Sequence, residues 1–159
     1  MKKTFDPIAS LLQEHSVTLD QLKRLNLAVG ALCEQGYSQK IEKQLFASLK
    51  YIEHEVLVHN KKEEVGLFPV LEMYVEGPTR LMRRDHKDLS KGYKQLREAV
   101  TALKRNPDSF KAMKHLSAVA KNVVQLFVNH IHKENYILFP LIQKLITKDV
   151  LREVARKMT

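Results

Sequence analysis

His59-Asn60-Lys61-Lys62-Glu63, followed by Leu67-Phe68-Pro69, is the stretch on which the reading of this chain turns, because it comes round a second time. Seventy-one residues later the chain reads His130-Ile131-His132-Lys133-Glu134, followed by Leu138-Phe139-Pro140. At the same offset His15 matches His86, each lying 44 residues before the histidine of its own His-x-x-x-Glu pair. Lys23/Lys94, Leu25/Leu96, Leu45/Leu116 and Ala47/Ala118 coincide as well. A repeat of this length points to two halves, about 6–77 and 78–148, within a single domain of 1–159, each half supplying part of one site.

Around these motifs the apolar residues recur at helical spacing. Asp6-Pro7 is a good helix start, and Ile8, Leu11, Leu12, Leu19, Leu22, Leu25 and Val29 continue from it, with His15 on the same stripe. Gly36 ends that helix. Ser38 caps a second, in which Ile41, Leu45, Leu49, Ile52 and Val56 lead to His59 and Glu63. Gly77-Pro78 opens a third, with Leu81, Met82, Leu89, Tyr93, Leu96 and Val100 flanking His86. A turn at Asn106-Pro107-Asp108, carrying the cap, opens a fourth, where Phe110, Met113, Leu116, Val119, Val123, Leu126 and Phe127 lead to His130 and Glu134. Pro69 and Pro140 each predict a kink or break, because proline cannot donate to the preceding turn. Asp149 starts a short C-terminal helix. Four long helices with short connections predict an all-α, antiparallel up-down four-helix bundle with a short C-terminal helix. Counted back from the turns, the histidines of each half reach nearly the same height.

Composition agrees. Apolar residues make up 44% and charged residues 28% of 159, with five glycines and no tryptophan. That is ordinary for a globular domain and leans towards helix. The start shows no apolar run behind Lys2-Lys3, so no signal peptide is expected, and no stretch is long enough to span a membrane. Cys33 stands alone, which excludes an intrachain disulfide, fits a reducing compartment such as the cytoplasm, and reads as a small buried residue. The net charge of +9 includes a helix-spaced stripe of Arg80, Arg84, Lys87, Lys91 and Lys94. It is either a solvated face or a dock for an acidic partner. No nucleic-acid motif accompanies it.

The chemistry follows from the inward polar groups. A His-x-x-x-Glu pair sets two ligands one turn apart on one helical face. Two such helices with two single histidines aim four imidazoles and two carboxylates at one point: His15, His59, Glu63, His86, His130 and Glu134. Imidazole with carboxylate suits iron, manganese or zinc. Two carboxylates buried together repel unless they are protonated or shared between cations. Two divalent ions, each on two histidines and bridged by both glutamates, would resolve that repulsion. His54, His115 and His132 fall off the stripe and are expected to face water or a neighbouring helix. Tyr51 and Tyr136 read as core packing, with a hydrogen bond to the site as the alternative.

On these residues, the motif His15…His59-x3-Glu63-x3-Leu67-Phe68-Pro69, repeated as His86…His130-x3-Glu134-x3-Leu138-Phe139-Pro140, resembles the hemerythrin-like HHE cation-binding family over nearly the whole chain. The resemblance implies a non-haem di-iron centre that meets O2, NO or peroxide, with the four histidines as ligands and Glu63 and Glu134 as bridges. Oxygen-carrying hemerythrins have a His-x3-His pair on the third helix and an aspartate as second bridge. Here Ser90 lies four residues after His86, Met82 four before it, and the second bridge is Glu134. The pattern is thus closer to the bacterial branch that includes iron-sulfur cluster repair proteins, which usually carry an additional cysteine-containing N-terminal domain. Two function classes follow: a di-iron protein reactive towards small oxidants, with a role in oxidative or nitrosative stress or iron handling, and a non-enzymatic iron sensor or holder read by a partner. A structural or di-zinc bundle is a third.

Overall fold

The protein is described by a computed structural model over residues 5–158. The start Met1–Thr4, read above as lacking a signal peptide, lies outside the described residues. Eight α-helical segments follow in order: α1 Pro7–Gln35, α2 Gln39–Tyr51, α3 Leu57–Lys62, α4 Phe68–Glu72, α5 Pro78–Arg105, α6 Phe110–Lys133, α7 Phe139–Leu145 and α8 Lys148–Met158. Single π-helical turns join α2 to α3 (Ile52–Val56), α3 to α4 (Glu63–Leu67) and α6 to α7 (Glu134–Leu138). The bundle therefore has four long staves: α1, α2 through α4, α5, and α6 with α7. They contact in the cyclic order α1, α2, α5, α6 and back to α1, and α8 lies against α1 and the Glu63–Leu67 turn. No strand occurs among the described residues, and none of their helices is long and apolar enough to cross a membrane.

The helix ends obey local chemistry. The Asp6 carboxylate accepts from the backbone N–H groups of Ile8 and Ala9, and Pro7 occupies the first turn. Gly36 closes α1 at φ 82°, and Gly77 precedes Pro78 at φ 109°, both conformations that favour glycine. Ser38 accepts from the N–H of Ile41. The fourth stave is capped by Ser109, which accepts from Ala112, one residue later than the expected Asp108. Ser109 holds the position directly before the helix, from which a short side chain reaches the N–H three residues on, whereas Asp108 lies one residue outside it. Ser38 and Ser109 are thereby also 71 residues apart, so even the caps obey the repeat. The terminal helix begins at Lys148, with Thr147 accepting from Val150, one residue ahead of the expected Asp149.

Pro69 and Pro140 do not break their helices. Phe68 donates to the carbonyl of Glu63, and Phe139 to that of Glu134, across one residue more than an α-turn. The widened turn takes up the backbone bond each proline cannot make. The expected interruption is thus absorbed as a π-turn, and each one begins at the glutamate of its His-x-x-x-Glu pair.

Two apolar cores fill the bundle. One holds Leu22, Leu25, Val56, Leu89, Val123 and Phe127; the other holds Leu11, Leu67, Phe68, Met82, Leu138 and Phe139. Along every stave the predicted polar residues fall between members of the two. His15 separates Leu11 from Leu22, and His86 separates Met82 from Leu89. His59 separates Val56 from Leu67, and His130 separates Phe127 from Leu138. Leu12, Leu81 and Phe110, expected on the apolar stripes, are instead exposed, because they lie at a stripe's edge or in the first turn of a helix. Cys33 is also exposed, contrary to its reading as a buried residue, because it follows Leu32 on the solvent side of the last turn of α1.

Candidate metal centre

Three different staves beside α1 bring side chains into the polar layer, and every one of the six predicted residues arrives there. His15, His59, Glu63, His86, His130 and Glu134 are all buried, and both glutamates are fully so. Their ligating atoms form two overlapping groups, His15 with His59 and His86 with His130, each completed by both Glu63 and Glu134, with all atoms of a group within 4.8 Å of one another. Glu63 stays in α-helical register with its own His59, at 2.9 Å from Nε2, while its second oxygen lies 3.3 Å from His86 Nε2. Glu134 mirrors it, 3.0 Å from His130 Nε2 and 3.0 Å from His15 Nε2. Each carboxylate thus spans both halves of the repeat.

The outward ring nitrogens settle which face each imidazole presents. His59 Nδ1 meets the Glu14 carboxylate, His130 Nδ1 meets Asp85 at 3.2 Å, His86 Nδ1 meets Glu64 at 2.8 Å, and His15 Nδ1 meets the Asn135 amide oxygen at 2.6 Å. All four partners accept, so Nδ1–H donates outward and Nε2, the nitrogen left to bind a metal once it is free of a proton, faces inward. Inside, Nε2 of His15 lies 3.0 Å from that of His59, and Nε2 of His86 lies 3.1 Å from that of His130. Apart from these imidazole nitrogens, the four oxygens of Glu63 and Glu134 meet no hydrogen-bond donor among the described residues. Four ring nitrogens and four carboxylate oxygens converge in an apolar surrounding, an arrangement that is costly unless protons or metal cations lie between them. The donor set, imidazoles and carboxylates without a thiolate, fits hard-to-borderline divalent metals.

The electrostatics of the side chains alone point the same way. Burial, and then the charge of Glu134, push the Glu63 carboxyl well above the usual range. Burial opposes ionisation of Glu134 too, but hydrogen bonds from His130, His15 and His86 outweigh it and hold that carboxyl low. The two therefore prefer to share one negative charge. Burial works against a charged His86, yet its bonds to Glu134 and Glu63 raise it to about 9. The hydrogen bond from His59 holds Glu14 below the ordinary carboxylate range, against the opposing effect of its partial burial.

Aromatic rings close the layer. Phe139 stacks on His15 at 5.4 Å between ring centres, and Phe68 stacks on His86 at 5.6 Å. The Leu-Phe-Pro triplet of each half thus walls off a histidine of the other half, which keeps water from the inner nitrogens.

Sequence reasoning missed Glu14, Asp85, Glu64 and Asn135, although the offset of 71 that disclosed the inner six also relates Glu14 to Asp85, Lys62 to Lys133 and Glu64 to Asn135. Lys133 pairs with Asp85 at 2.9 Å and Lys62 with Glu14 at 3.6 Å. His54, His115 and His132 are exposed, as expected from their positions round the helix. Tyr136 is 75% exposed and touches His132, so it neither packs in the core nor reaches the site. Tyr51 is partly buried, with its hydroxyl 3.1 Å from Thr18.

A bundle that gathers four histidines and two shared carboxylates at its centre defines a metal-binding protein of the all-α class. The profile of the Hemerythrin HHE cation binding domain matches residues 6–142, and the chain belongs to that family. No curated protein matches the chain significantly.

Proposed function

We propose that this chain is a cytoplasmic non-haem di-iron protein that binds or reacts with a small oxidant, O2, NO or peroxide, in oxidative or nitrosative stress or in iron handling. The observation that carries the reading is the sharing of both Glu63 and Glu134 by two histidine pairs, which supplies a four-residue set on each side of a carboxylate bridge. His15 and His59 would hold one ion, His86 and His130 the other, with zinc or manganese as substitutes. Once bound, such ions supply open coordination positions and redox change.

The chain's own residues do the rest. The four outward Nδ1–H bonds hold the imidazoles in the ligating tautomer, so no rotamer or tautomer change is needed on binding. Phe68 and Phe139 limit water at the inner nitrogens and favour a small, uncharged ligand. The test is metal quantification of protein from iron-supplied cells, with optical spectra before and after anaerobic NO, O2 and peroxide. About two irons per chain and a spectral response to at least one ligand are expected. Full iron loading with no response to any of the three refutes the reading.

A second reading keeps the metal and drops the reactivity: an iron sensor or holder whose state is passed to an acidic partner. It is favoured by the stripe Arg80, Arg84, Lys87, Lys91 and Lys94, all exposed on α5, the helix that also carries His86. Capture of a partner that is indifferent to chelation rules this out.

A further inference from the structure

The two halves of the site match residue for residue in the inner layer, but behind it they differ in charge at one position, Glu64 against Asn135. On the side of His86 and His130, the outward nitrogens donate to Glu64 and Asp85, both carboxylates. On the side of His15 and His59, they donate to the amide oxygen of Asn135 and to Glu14. Asp85 and Glu14 are each faced by a lysine, Lys133 and Lys62, and so nearly cancel between the halves. Glu64 has no lysine or arginine nitrogen within salt-bridge distance among the described residues; the guanidinium of nearby Arg83 engages Glu72 and the Glu64 backbone carbonyl. The surplus is one negative charge, directed at the Nδ1–H of His86.

An imidazole that donates to a carboxylate is a stronger donor at its other nitrogen than one that donates to an amide, and partners of this kind change metal affinity about 10- to 100-fold. We propose that the two metal positions are inequivalent by construction: the His86/His130 position is the high-affinity one and fills first, while the His15/His59 position is the exchangeable one. Glu64 and Asn135 are the positioning residues that set this order. The inference rests on the two-cation reading above and adds to it which ion is held and which is released.

Because ions bound close together repel, unequal stepwise constants alone would not distinguish the positions, and the test must read the order of filling. The probe is Zn2+, which is redox-silent, titrated into metal-free protein carrying 15N-labelled histidine, followed by ring-nitrogen NMR and by competition with a chromophoric chelator. In the parent chain the first equivalent is expected to shift His86 and His130, and the second His15 and His59. Glu64→Gln and Asn135→Asp preserve side-chain size. Glu64→Gln weakens the first binding step about 10- to 100-fold, and Asn135→Asp tightens the second by a similar factor. The double variant moves the surplus charge to the other side and reverses the order of filling. Simultaneous filling of both positions, filling of His15 and His59 first, or an order unchanged in the double variant overturns the proposal and leaves the two-ion reading standing. Binding of a single ion with all six residues engaged overturns both.

Discussion

Substituting glutamine for Glu63 is expected to act with opposite sign on the metal-free and metal-loaded protein. Glu63 is fully buried, and burial with the neighbouring charge of Glu134 raises its carboxyl well above its ordinary value of 4.5. A raised carboxyl means that the folded chain keeps a proton that the unfolded chain has released, so stability falls as pH rises above that unfolded value. Each pH unit is worth about 1.4 kcal/mol, so at pH 7 the burial of Glu63 costs at most roughly 3–4 kcal/mol in the absence of metal. Glutamine keeps the shape and has no proton to lose. Metal-free Glu63→Gln should therefore be more stable than the parent at pH 7, by up to about 15 °C at about 2–4 °C per kcal/mol for a chain of this size, and the gain should vanish near pH 4.5. With metal the ordering reverses. An ion present at about 1,000 times its dissociation constant stabilises by about 4 kcal/mol, and an amide in place of a bridging carboxylate removes a ligand from both positions at once. The assay is thermal unfolding between pH 4.5 and 8, with chelator and with excess metal. A variant that loses the same stability in both conditions, or that still binds two ions at the parent's affinity, would refute the assignment of Glu63 as a shared bridge.

The remaining predictions address other parts of the molecule. Metal uptake should expel protons: His86 is raised to about 9 by Glu134 and Glu63, so below that pH an incoming ion displaces its proton, and calorimetry in buffers of different ionisation enthalpy should show release that declines above pH 9. Gly66→Val should destabilise by roughly 1–3 kcal/mol and loosen α8, because a Cβ there would lie 2.6 Å from Met158 Cγ, whereas Ile137→Val at the matching position of the other half should be neutral; hydrogen exchange of α8 amides reads the difference. Arg84→Glu with Lys87→Glu should leave metal content and melting within about 0.5 kcal/mol of the parent, since both are exposed, while abolishing capture of any acidic partner read through the stripe.

How much was legible beforehand can be judged from particular residues. His15 and His86 carry no local motif, yet their place on apolar stripes and their common offset sufficed to put both in the polar layer. The caps Asp6 and Ser38 were legible because a cap depends only on its own next three residues. Glu14, Asp85, Glu64 and Asn135 were not. Each sits one residue from a ligand, about 100° round its helix, where the pattern of apolar spacing says only that a residue is at the edge. Whether an edge residue faces water or a neighbour's imidazole depends on how the staves rotate and slide against one another.

The same division runs through the rest of the protein. Periodicity and the repeat by themselves determined an all-α bundle, its four staves and the six inward polar groups, because the 3.6-residue turn converts spacing directly into direction. Tertiary structure alone decided that Pro69 and Pro140 would be absorbed as π-turns, and that α8 would settle on Gly66 and leave Ile137 exposed. It alone set a carboxylate behind His86 and an amide behind His15. Those outcomes follow from contacts between helices distant in sequence, and the energy of such a contact is defined only once both partners are in place.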